Sequence, residues 1–100
     1  MPSYELARIL GRKARATGCL LLQAGIASDH VHVLVRVGAA VSLADLVQRL
    51  KGGSAYDVNR GAPPERPLCW QVGYWAESVS PADVDPLCRY LRVQRARHDD

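Results

Sequence analysis

A chain of 100 residues, 48% apolar and with a net charge of +3, has room for one compact core and one site and excludes a modular enzyme. No apolar run reaches the roughly 20 residues of a membrane-spanning helix. The start, Met1-Pro2-Ser3-Tyr4-Glu5, lacks the layout of a secretory signal, so a soluble, cytoplasmic protein without a membrane partner is expected.

In chain order, Leu6, Ile9 and Leu10 recur at helical spacing among arginines, which predicts an amphipathic helix over Ser3–Ala16. Gly18 is its stop. Two short apolar runs follow, residues 19–26 and 30–37, and their length suits strands. In the second, Val31, Val33, Val35 and Val37 share one face and His30, His32, Leu34 and Arg36 the other. The two runs are expected to form an antiparallel hairpin.

Residues 42–51 carry Leu43, Leu46, Val47 and Leu50 at i, i+3, i+4 and i+7 behind a Ser42 cap, and Gly52-Gly53 is expected to fray or kink this helix. A glycine and three prolines make 60–67 a loop. Aromatic and β-branched residues predict a strand over 68–79. Ser80-Pro81 and Asp85-Pro86 both offer a start for the last helix, and only the second is free of strain. Its apolar face is Val84, Leu87, Cys88 and Leu91, with Tyr90 and Gln94 four apart along the edge. The order of helix, two strands, helix, strand and helix predicts an α+β domain, an antiparallel sheet with helices packed on it.

Cys19, Cys69 and Cys88 are odd in number and lack a C-x-x-C pair, which argues against a disulfide framework or zinc finger. They read as buried thiols. A chain this small is marginal alone, so a homodimer is expected. Arg8, Arg12 and Arg15 recur at helical spacing, Arg49 and Lys51 lie mid-chain, and Arg89, Arg92, Arg95 and Arg97 crowd the end. Such faces can grip phosphates, although charge alone favours ordinary solvated helices.

His30 and His32, two apart on a strand, project from one face and can reach one ion. Taken alone, such a pair is more often two partly exposed or hydrogen-bonded histidines. A third ligand has two candidates, the amide of Gln94 or the carboxylate of Asp29. Either gives a mixed nitrogen and oxygen shell suited to Mg²⁺ or Mn²⁺. A tyrosine beside such a cation supplies the in-line nucleophile of phosphoryl transfer. Tyr90 is the first candidate, with Tyr4, Tyr56 and Tyr74 as rivals.

The run Asp29-His30-Val31-His32-Val33-Leu34-Val35 resembles the HUH strand, histidine-hydrophobe-histidine, of single-tyrosine transposases of the IS-two-hundred/six-hundred-five class and REP-associated tyrosine transposases. The run from Ser42 to Gly52 is similar to the family's next helix, and the stretch from Trp70 to Ser80 to its late strand. Arg89-Tyr90-Leu91-Arg92-Val93-Gln94 resembles its closing helix, and the likeness spans nearly the whole chain. The resemblance implies a ferredoxin-like antiparallel sheet. It implies that His30, His32 and Gln94 bind the metal and that Tyr90 attacks DNA, leaving a 5′-phosphotyrosine link and a free 3′-hydroxyl. Hairpins in single-stranded DNA are the implied substrate, and the implied assembly is a dimer in which one subunit's tyrosine helix often serves the other's HUH strand. Arg8, Arg12, Arg49 and Lys51 are candidates for backbone contacts, and Trp70, Trp75 or Tyr56 for base stacking.

The sequence also departs from the family. Relatives carry a basic strand before the first helix, so one N-terminally truncated domain, lacking a central strand, is expected over 1–100. Trp75-Ala76-Glu77 replaces smaller or neutral residues, and Pro86 stands where the last helix normally continues. A catalytically inactive remnant that only binds single-stranded or hairpin DNA is the alternative expectation.

Overall fold

The computed structural model describes residues 3–27, 29–61 and 67–99, and within these the side chains from residue 5 to residue 93. Three helices, α1 (Ser3–Ala16), α2 (Leu43–Asn59) and α3 (Pro81–Asp99), accompany two strands, β1 (Leu20–Ile26) and β2 (Val31–Arg36). The strands pair antiparallel as a two-stranded sheet, which makes the fold α+β. No described helix is long and apolar enough to cross a membrane.

The end of α1 follows from Gly18. Its φ of 84° lies where a side chain is strained and glycine is not. With the chain turned there, the Gly18 amide donates to the Arg15 carbonyl and the Cys19 amide to the Ala14 carbonyl, both at 3.0 Å. This closes the helix and launches β1. Leu22 is the extra residue of a bulge, because Leu21 faces Val35 while Gln23 faces Leu34.

The core lies between α1, the sheet and α2. Leu6, Ala7, Leu10 and Ala14 of α1 meet Ala24 and Ile26 of β1 and Leu46 and Leu50 of α2, with Cys19 beside them. Of the four valines expected on one face, Val31 and Val35 pack against this cluster while Val33 and Val37 are exposed. Leu34 and Leu91 are buried outside it, and α3 packs on β1 and on α1.

Ser42 caps α2 as expected, its hydroxyl accepting from the Asp45 amide at 3.0 Å. The glycine pair, however, does not fray α2, which continues through it to Asn59. A Cβ at Gly53 would stand 2.8 Å from Lys13 Cδ, so this glycine admits the Lys13 stem from α1. Two interior glycines cost about 1 kcal/mol each relative to alanine. Buried Leu46 and Leu50, and contacts reaching as far as Asn59, offset that cost.

Two further expectations are corrected. Residues 68–79 form no strand. Gly73 takes φ 90° within the segment, and α2 side chains occupy several of its polar groups. Asn59 accepts from the Leu68 amide and donates to the Leu68 carbonyl, while Lys51 donates to the carbonyls of Gln71 and Gly73. Trp70 Nε1 donates to the wholly buried Ser54 hydroxyl at 2.9 Å. The last helix starts at Pro81, not Pro86. Ser80 and Asp83 close its first turn through both the Asp83 amide and its carboxylate, which secures the earlier start although Pro86 lacks the N–H its turn would use.

Of the three cysteines only Cys19 is buried. Cys69 is exposed on the irregular segment and Cys88 is half-buried. Of the loop expected over 60–67, residues 62–66 lie outside the described residues.

Candidate functional site

The hairpin places the histidines. His30 ends the turn, and its carbonyl accepts from the Ala27 amide at 2.9 Å. His32 stands one pleat further, paired across the ladder with Gly25. A glycine partner carries no side chain to crowd the ring. The imidazoles lie edge to face, 4.8 Å between centroids and 86° between planes, and both residues are exposed.

Asp29 stands beside them. Its Oδ1 lies 2.7 Å from His30 Nδ1. The hydrogen bond with His30 first, and then the positive charge that ring carries when it is protonated, hold the Asp29 carboxyl below its usual range.

Two accessible neighbouring imidazoles with a carboxylate beside one of them are, by the chemistry of their donors, part of a shell that suits a divalent cation, and a further ligand is needed to complete it. Among the described residues, no three His, Cys, Asp or Glu side chains come together in such a group. The side chains of Gln94, Arg95 and Arg97 lie outside the described residues, as does that of Tyr4.

Tyr90 lies on α3, 61% exposed, at an open groove of about 430 Å³ lined by Glu77, Ser78, Val79, Asp83, Pro86 and Leu87. Neither histidine lines that groove. His30 and His32 lie together. Among the other tyrosines, Tyr74 is exposed, and Tyr56 is exposed with the Arg60 guanidinium 5.6 Å from its ring centroid.

The basic side chains divide by occupation. Arg8 and Arg49 are exposed. Arg49 borders a groove of about 620 Å³ between the end of α1 and α2, together with Lys13, Thr17 and Gln48. Arg12 and Lys13 both reach the Asp57 carboxylate, at 3.0 and 3.1 Å, and Lys51 serves the backbone of the irregular segment. Of the aromatic candidates for stacking, Trp70 is tied to Ser54 while Trp75 is 89% exposed.

The hydrogen bond from Lys13 first, and then, against partial desolvation, that from Arg12, hold the Asp57 carboxyl below its ordinary value. A group depressed in the folded state stabilises it fully above the unfolded value of about 3.9. That contribution is lost as pH falls through the lower folded value. Urea midpoints taken through this acid range should therefore fall more steeply for the wild type than for Asp57→Asn. Parallel curves would show that the α1–α2 ion pairs add nothing.

An antiparallel hairpin that presents two co-facial histidines and is backed by helices is an HUH-type α+β scaffold. Residues 3–94 match the family model described as Transposase IS200 like, and the chain belongs to that family. Membership implies nuclease chemistry in DNA transposition and contact with DNA, and nucleases of this family typically depend on a metal ion. No curated protein and no solved structure matches the chain.

Sequence reasoning weighed Asp29 as a third ligand and missed its bond to His30. The available signal was its position, one residue before the first histidine at the mouth of the hairpin.

Proposed function

We propose that this protein is a metal-dependent single-stranded DNA endonuclease and strand transferase. The observation that carries the reading is the edge-to-face pair of His30, at the end of the hairpin turn, and His32 on β2 in a chain of the IS200-like transposase family. His30, His32 and Gln94 would hold Mg²⁺ or Mn²⁺. A divalent cation there supplies charge neutralisation at the non-bridging oxygens of the scissile phosphate. Tyr90 Oη attacks phosphorus, the bond from phosphorus to the 3′-oxygen breaks, and the phenolic proton is balanced by the 3′-hydroxyl that is released. The DNA remains joined to Tyr90 through its 5′-phosphate. That link conserves the phosphodiester for rejoining, so no nucleotide triphosphate is required.

The substrate is single-stranded DNA with hairpins, and Arg8, Arg12, Arg49 and Lys51 are the proposed contacts to its backbone. We assign residues 1–100 to one domain. The sheet is read as ferredoxin-like, on the support of the α+β arrangement of an antiparallel hairpin with helices packed on it. A homodimer in which Tyr90 serves the partner's histidines is part of this reading. The second reading is a remnant that binds hairpin DNA and does not cut it, since among the described residues no group of three metal-ligating side chains is present.

The test is a denaturing gel of purified protein with Mn²⁺ and a pool of labelled single-stranded hairpins. A covalent protein–DNA adduct that forms with Mn²⁺ and vanishes with chelator is expected. Retention of hairpins in a native gel without any adduct would replace the nuclease with the binding-only remnant.

A further inference from the structure

We propose that Asp29 is a positioning residue that holds His30 as its Nδ1–H tautomer and so leaves the lone pair on Nε2. The proposal deepens the metal reading of this site, in which His30 is a ligand, and rests on that reading for its consequence. The geometry is direct, since Asp29 Oδ1 lies 2.7 Å from His30 Nδ1. An ionised carboxylate only accepts hydrogen bonds, so the hydrogen between these atoms belongs to the imidazole. In a neutral ring with Nδ1 protonated, Nε2 is the atom with a free lone pair.

Two neighbours restrict the ring further. The His30 carbonyl is fixed by the Ala27 amide, and the His32 ring meets it edge to face at 4.8 Å. Asp29 thus sets the rotation of a ring whose backbone and flank are already held. An outer carboxylate of this kind orients a ligating histidine and raises its basicity, and its loss typically weakens metal affinity 10- to 100-fold. The alternative role, Asp29 as a direct ligand, requires the same carboxylate to leave Nδ1.

The test begins without metal. Long-range ¹⁵N–¹H spectra of the cation-free protein report which nitrogen of His30 carries the hydrogen. The wild type should show Nδ1–H, Asp29→Ala should move His30 towards Nε2–H, and Asp29→Asn should keep the wild-type tautomer through its amide oxygen. Mn²⁺ titration should then show affinity falling about 10- to 100-fold in Asp29→Ala and largely restored in Asp29→Asn. An unchanged tautomer in Asp29→Ala overturns the proposal, as does an Asp29→Asn protein that keeps the tautomer yet binds as weakly as Asp29→Ala, the signature of a direct ligand. A tautomer that responds to Asp29 in a wild-type protein that takes up no Mn²⁺ supports the positioning role and sinks the metal centre alone.

Discussion

Tyr90→Phe should abolish the covalent DNA adduct, lowering its rate of formation by on the order of 10³-fold or more, while hairpin binding stays within about twofold, a difference of some 0.4 kcal/mol. The change deletes one hydroxyl from a side chain that is 61% exposed and keeps the ring that lines the groove with Pro86 and Leu87. Folding has little reason to respond, because exposed substitutions of this kind usually stay within about 0.5 kcal/mol. The chemistry has every reason to respond, because no other atom of that ring can displace an oxygen from phosphorus. A Tyr90→Phe adduct of wild-type yield would move the nucleophile elsewhere. Tyr56 and Tyr74, both exposed, would be tested next.

Leu46→Ala should be the most destabilising of simple truncations in α2. The side chain is only 2% exposed and lies in the cluster shared by α1, β1 and α2. Removing it costs about 2–5 kcal/mol, as transfer free energy plus the cavity left behind. Native domains hold only about 5–15 kcal/mol, and each kcal/mol moves the Tm of a domain this size by roughly 4–8 °C. A thermal melt followed by circular dichroism should therefore fall by at least about 8 °C. A shift under about 3 °C would mean that α2 does not supply the wall of this core. Leu43→Ala, at an exposed position of the same helix, is the control and should stay near the wild-type Tm.

Much of this was legible in the sequence because local rules and tertiary demands agreed. The α1 stripe, the cap at Ser42 and the valine alternation of β2 are short-range patterns, and the packed structure uses the first two and, at Val31 and Val35, the third. The failures share a cause. Gly52-Gly53 looks like a break because propensity cannot report that Lys13 of another helix needs the space over Gly53. Residues 68–79 look like a strand because composition reports a taste for a pleated surface, whereas a strand exists only beside a partner edge. The preference for Pro86 weighed the lost N–H correctly but not the closure that Ser80 and Asp83 provide five residues earlier.

The site divides in the same way. The pairing of His30 with His32 follows from a period of two and needed no structure. The surroundings of Tyr90 depend on how α3 lies against 77–79, which no spacing encodes.

The fastening of the irregular segment to α2 has a mechanical consequence. Asn59, Lys51 and Ser54 hold it at three points along one helix, and none of these holds is a backbone ladder. It behaves as a ribbon pinned to a splint, and Val72 between the pins and Trp75 beyond the last of them stand fully or almost fully in solvent. Its amides should exchange with deuterium far faster than those of α2, apart from that of Leu68, which Asn59 guards. Among the described residues its Leu68 amide is the one backbone donor of the segment that is held, so an extended chain arriving in the right register could pair with the others and set the shape of this stretch.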